Sequence, residues 1–141
     1  MNIVVIDGQG GRLGKQIIEA IRAKVPDAEI IAIGSNSTAT FNMMKGGATK
    51  GATGENSVVV ACRSADIIVG TLGIVIADSL LGEITPKMAT AIGQSSAEKV
   101  LIPMNRCGHT VIGTSGLSVS ELIAEAADYV AKKALDNGIN V

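Results

Sequence analysis

Asn2-Ile3-Val4-Val5-Ile6-Asp7-Gly8-Gln9-Gly10-Gly11-Arg12-Leu13-Gly14 is the stretch on which the fold turns. Ile3 to Ile6 is an unbroken apolar run closed by Asp7, the pattern of a strand covered on both faces. Four glycines in the next seven residues break the strand. Leu13, Ile17, Ile18 and Ile21 then recur at helical spacing as far as Val25-Pro26. Strand, glycine turn and helix in that order form the opening unit of a dinucleotide-type fold. One glycine lets the chain reverse tightly, a second lets backbone approach a pyrophosphate, and a third lets the helix pack close to the strand. The free N–H groups and partial positive charge of the helix N-terminus complete an anion site. Gly8, Gly11 and Gly14 fit a GxxGxxG spacing, and Gly8, Gly10 and Gly14 fit GxGxxxG; both remain open. The candidate ligand-binding residues here are Gly8, Gln9, Gly10, Gly11, Arg12, Leu13 and Gly14, with Lys15 as a further source of charge.

Downstream, Glu29–Gly34 reads as a second buried strand. Thr38 to Lys45 reads as a short helix capped by Ser37 or Thr38. Residues 46–54 are too rich in glycine for regular structure and are expected to form a mobile functional loop. Val-rich Ser57–Cys62 reads as a third strand and Asp66–Gly70 as a fourth. Residues 74–96 read as an interrupted helix: Gly82 ends a first piece, and Thr85-Pro86 caps and opens a second. Val100–Pro103 reads as a fifth strand, with Thr110–Gly113 as a candidate sixth. Ser118-Val119-Ser120-Glu121 is a capping box that opens a last helix ending near Asn137-Gly138. The alternation predicts an α/β, Rossmann-like three-layer fold with a mostly parallel sheet of five or six strands, as one domain over residues 1–141.

Composition agrees. The chain has 141 residues, and 47% are apolar with one Phe, one Tyr and no Trp. Such an aliphatic core suits a sheet buried by helices on both faces. A net charge of −1, with no basic stripe and no array of aromatics, argues against nucleic acid as a partner. Cys62 and Cys107 make no disulfide framework and are expected as reduced thiols. The first residues lack a basic, cleavable leader. The longest apolar stretch, Ile67 to Ala77, is broken by Gly70, Thr71 and Gly73 and is shorter than the roughly 20 residues of a membrane span. The expectation is a cytoplasmic protein that does not enter membranes.

Loops at the carboxyl ends of such strands converge on the ligand crevice. Gly8–Gly14, Gly34–Ser37, Gly70–Gly73 and Pro103–Arg106 should therefore meet, which adds Ser35, Asn36, Gly70, Thr71 and Asn105 to the candidate ligand-binding residues and places Arg106 beside them. An NAD site usually carries an acid at the end of the second strand, to accept hydrogen bonds from the ribose hydroxyls. This strand ends Gly34-Ser35-Asn36-Ser37. Three polar neutral residues with Arg12 nearby tilt the expected cofactor from NAD toward NADP. Lys50 and Glu83 are the candidates for catalytic groups, with Thr53, Glu55 and Asn56 beside Lys50 in a loop able to close over a substrate. Glu83 also suits the positive end of the helix that follows. Cys107 and His109 are a poor zinc pattern, and no metal site is expected.

Gly11-Arg12-Leu13-Gly14 resembles the NADP-binding turn of the dihydrodipicolinate reductases, over about 15 residues of this chain. That likeness implies a nicotinamide cofactor but carries over no catalytic residue. A second resemblance runs through nearly the whole chain. Asp7-Gly8-Gln9-Gly10-Gly11, Gly51-Ala52-Thr53-Gly54-Glu55-Asn56, Leu81-Gly82-Glu83-Ile84-Thr85-Pro86-Lys87-Met88 and Ile102-Pro103-Met104-Asn105-Arg106-Cys107 are similar to a small bacterial family of this length, catalogued as a domain of unknown function. The resemblance implies a single domain. The expected function is the binding of a phosphate-bearing nucleotide, NAD(P)-like, by a sensor or a component of a larger system. A small NADP-dependent oxidoreductase is one alternative. An interaction or assembly protein with a purely structural turn is another. A homodimer is compatible with all three.

Overall fold

The computed structural model describes residues 1–104 and 108–139. Five strands, β1 (Asn2–Asp7), β2 (Glu29–Gly34), β3 (Lys50–Thr53), β4 (Ile67–Thr71) and β5 (Glu98–Ile102), form one sheet in the order β3-β2-β1-β4-β5. Every pairing is parallel. Parallel neighbours need crossovers, and α1 (Arg12–Lys24), α2 (Ser37–Lys45), α3 (Glu55–Cys62) and α4 (Pro86–Gln94) provide them. Helix α5 (Val119–Asp136) follows the last strand.

Side chains alternate across the sheet and split the core in two. Ile3 and Val5 face a cluster with Ile17, Ile18 and Ile21 of α1, Met43 of α2 and Val130 of α5. Val4 and Ile6 face the opposite cluster, with Val58 of α3 and Met88 and Ile92 of α4. Each of these isoleucines, fully buried, contributes roughly 1.5–3 kcal/mol. The chain winds outward from β1 through β2 to β3, then returns past β1 to lay down β4 and β5. The order therefore reverses between β1 and β4, and a crevice opens at their carboxyl ends.

Several expectations are corrected. Residues 50–53 are strand β3 rather than part of a mobile loop. Glycines turn the chain on either side of it, Gly47 at φ 105° and Gly54 at φ 103°. Backbone bonds from Thr49 N–H to the Ile30 carbonyl (2.7 Å) and from Gly54 N–H to the Gly34 carbonyl (2.8 Å) hold it beside β2. Arg22 on α1 secures the approach to this strand by donating to the carbonyls of Pro26, Ala28 and Gly47. Ser57–Cys62 is helical rather than extended. Its valines favour a strand locally, but the parallel step from β3 to β4 requires a crossover. A helix there buries Val58 and Cys62, four residues apart, on one face and leaves Val60 exposed.

The third correction concerns residues 74–81, where no α-helix forms. A 3-10 turn spans Leu72–Val75. Asp78, Leu80 and Leu81 then adopt left-handed backbone conformations, which an α-helix cannot accommodate. The second piece of that segment is α4, capped by Thr85, whose hydroxyl accepts from Met88 N–H at 3.1 Å, with Pro86 in its first turn. Helix α2 is capped by Asn36 rather than Ser37 or Thr38, through Ala39 N–H at 2.9 Å. Ser118 caps α5 through Glu121 N–H at 3.1 Å. Thr110–Gly113 joins no sheet, so the sheet has five strands among the described residues.

Candidate functional site

The glycine turn sits at the reversal point, between the end of β1 and the start of α1. Its geometry separates the two glycine spacings. A Cβ on Gly8 would lie 2.6 Å from Ser35 Oγ, one on Gly11 2.6 Å from the Ala39 backbone, and one on Gly14 2.5 Å from Met43 Sδ. Gly11 also stands at φ 68°. A Cβ on Gly10 meets nothing within 4 Å. Backbone excludes a side chain at 11, and neighbouring side chains crowd 8 and 14, which favours the GxxGxxG spacing and leaves Gly10 open. Gln9, at φ 49°, completes the reversal.

Asp7 ties the turn together. Its Oδ1 accepts from Gly8 N–H and its Oδ2 from Gly14 N–H, both at 2.8 Å. The sequence showed this acid as a strand end without assigning it a task. Burial pushes its carboxyl above the usual carboxylate value, against the lowering effect of the Gly14 and Gly8 bonds, and the Glu83 charge adds to the rise. A raised folded-state pKa means stability present below the unfolded value and lost as pH climbs through the folded one. The stability advantage of the wild type over Asp7→Asn should therefore shrink as pH rises from about 4 toward 7, measured by urea unfolding of both proteins. An advantage that grows with pH would show that the two backbone bonds outweigh the burial.

Helix α1 begins without a side-chain cap or an acid in its first turn. Among the described residues, the backbone N–H groups of Gly10, Arg12 and Leu13 make no hydrogen bond. Arg12 is exposed and forms no ion pair among the described residues, whereas Lys15 lies 3.8 Å from Glu19. These groups border a cleft of about 310 Å³. Residues Asp7 to Leu13 form one wall, with Gln16 a helical turn further on. Thr71, Leu72 and Gly73 from the end of β4 also line the cleft, as do Met104, His109 and Val119.

Of the residues expected from the sequence, Gly8 to Leu13 and Thr71 line this cleft. Gly14 holds α1 against Asp7 and Met43, and Gly70 lets β4 lie close to the Ile6 carbonyl, 2.8 Å from where a Cβ would sit. Asn105 and Arg106 lie outside the described residues. Lys50 is not in the cleft. It stands at the amino end of β3, the opposite end of the sheet, and pairs with Glu29 at 2.8 Å.

Glu83 is also outside the cleft lining, beside the glycine turn. Its carboxylate accepts from Gln9 N–H at 2.9 Å, Ser35 Oγ–H at 2.9 Å and Asn36 Nδ2–H at 2.5 Å. Ser35 and Asn36, expected to face a ligand phosphate, thus donate to a carboxylate instead. Sequence reasoning missed Gln16, Leu80 and His109 as cleft residues. Helical spacing from Arg12 points to Gln16. Leu80 arrives through a left-handed loop that no periodicity announces. No group of three or more His, Cys, Asp or Glu able to hold a metal ion occurs among the described residues. No helix among them is long and apolar enough to cross a membrane.

A parallel sheet in this order, with a glycine turn at its reversal point, defines the Rossmann-like class. Solved structures of that class resemble the chain. The triphenylmethane reductase of Citrobacter sp., crystallised with NADP(H), has a TM-score of 0.53 at 17% identity, over 96% of this chain and 46% of that one. A second structure of the Citrobacter reductase gives 0.54 at 18% identity, over 94% and 45%. The chain spans less than half the length of these reductases. The chain belongs to the family described as a domain of unknown function (DUF3842), which matches residues 2–135. No curated protein matches it by sequence.

Proposed function

We propose that this protein binds a phosphate-bearing nucleotide of the NAD(P) type, with the pyrophosphate on the glycine turn at the N-terminus of α1. The observation that carries this reading is the combination at one place of three backbone N–H groups and an Arg12 guanidinium that have, among the described residues, no hydrogen-bond or ion-pair partner respectively, with a cleft at the reversal point of the sheet. Helix N-terminal N–H groups and dipole favour an anion there, and Arg12 adds a charge-assisted donor. The cleft, about 310 Å³, falls at the lower end of the ligand-pocket range of roughly 300–1,000 Å³. The Citrobacter reductase, of similar fold, was crystallised with NADP(H), which fits the same ligand class.

Thermal melting with NADH, NADPH, ATP and buffer tests the reading. A ligand at one hundred times its dissociation constant stabilises by about 2.7 kcal/mol. For a domain of this size that raises Tm by several degrees, roughly 3–5 °C per kcal/mol. No rise with any of the three nucleotides would refute it.

A further inference from the structure

The second strand lacks the acid that ordinarily receives a ribose diol, yet a carboxylate stands at its tip. Glu83 reaches that place from the connection between β4 and α4, 49 residues beyond Gly34 in the chain. Oε1 takes the Ser35 hydroxyl and the Asn36 amide, which follow β2 directly, and shares Gln9 N–H (3.2 Å) with Oε2 (2.9 Å), which accepts no other hydrogen bond among the described residues. A carboxylate has about four lone-pair positions, so Oε2 has room for a further donor. The Asn36 amide also donates to the Gln9 carbonyl at 2.9 Å, which joins the strand tip to the turn.

The connection that delivers Glu83 is closely constrained. Asp78, Leu80, Leu81 and Gly82 all have φ between 55° and 87°. Asp78 N–H donates to the Ile84 carbonyl at 2.7 Å and Gly82 N–H to the Asp78 carbonyl at 3.0 Å, closing the loop on itself. Ser79 donates to the Gly73 carbonyl, and Ile84 is fully buried. Three non-glycine residues in left-handed conformations cost energy that the surroundings must offset, and such strain gathers at functional positions. A Cβ on Gly8 would lie 3.0 Å from Leu80 Cδ1, so the loop packs beside the turn.

We propose that Glu83 is the specificity-determining residue of the nucleotide site, the acceptor for the 2′- and 3′-hydroxyls of an unphosphorylated ribose. The site then takes NAD-like ligands and excludes those with a 2′-phosphate, whose charge would meet the carboxylate. This rests on the nucleotide reading above and revises the ligand expected from the end of β2: the acid missing there is supplied by another part of the chain. Arg12, on the first turn of α1, is left for the pyrophosphate.

The test is titration of the wild type and Glu83→Gln with NADH and NADPH, read by ligand fluorescence. The wild type should bind NADH at least about tenfold more tightly than NADPH, since like charges held together are disfavoured. Glu83→Gln, nearly the same shape without the charge, should bring the two within about threefold. Tighter binding of NADPH by the wild type, or an unchanged preference in the variant, would overturn the assignment while leaving the nucleotide site standing. If neither cofactor binds the wild type, the nucleotide reading fails and this inference with it. Should the variant not fold, wild-type affinities for ADP-ribose and 2′-phospho-ADP-ribose decide the question. A preference for the unphosphorylated compound supports it, and parity or the reverse overturns it.

Discussion

Gly11→Val should lower the stability of the protein by about 3–5 kcal/mol. A non-glycine residue in the left-handed region costs roughly 1–2 kcal/mol, more when branched at Cβ. Gly11 is held there at φ 68°. The new side chain would also meet the Ala39 Cα and carbonyl at 2.6 Å. These are backbone atoms of α2, which cannot swing aside as the end of a side chain does, and overpacking of this kind adds about 1–3 kcal/mol. Domains of this size hold about 5–15 kcal/mol in all. Urea unfolding should show the midpoint fall sharply, with Tm down by roughly 10 °C or more. A loss below about 1 kcal/mol would mean that the turn does not adopt this geometry.

Gly10→Val should do the reverse, leaving stability within about 0.5 kcal/mol of the wild type and weakening nucleotide binding by about a hundredfold. Gly10 is exposed, its Cβ position is open, and it lines the cleft beside the free N–H groups. Two methyl groups there occupy the path by which a phosphate reaches the helix N-terminus. Melting curves and ligand titrations on one preparation separate the two effects. Unchanged affinity in a folded Gly10→Val protein would place the ligand elsewhere. The contrast between neighbouring glycines is the stronger test, because a turn that is only structural would make position 10 silent in both measurements.

Much of this was legible in the sequence. β1 and β2 stand at the residues that their apolar runs and flanking turns predict, and α5 follows its capping box, because those signals are local. Register between the glycine spacings was not legible, since it depends on Ala39 and Met43, which reach the turn from α2. β3 escaped notice for a related reason. Lys50-Gly51-Ala52-Thr53 buries none of its residues and so carries no hydrophobic pattern; β2 on one side gives it shape. The misreading of Ser57–Cys62 shows a local preference overruled by connectivity, as valines that suit a strand are recruited for a crossover. The candidate site was legible where one segment forms it and hidden where two meet. Residues 8–13 and 71–73 could be named, whereas the contact of Glu83 with Gln9, Ser35 and Asn36 depends on a loop whose conformation no propensity specifies.

The central place of β1 also constrains how the molecule is made. During synthesis β1 can pair with β2 once residue 34 is out, but its other edge stays bare until residues 67–69 arrive to pair with Ile3, Val4 and Val5. During that interval the nascent chain carries an unpaired strand edge flanked by aliphatic side chains, the kind of surface that draws chaperones or neighbouring chains. The reversal point that opens a crevice in the finished protein is thus also the seam at which its synthesis is most exposed.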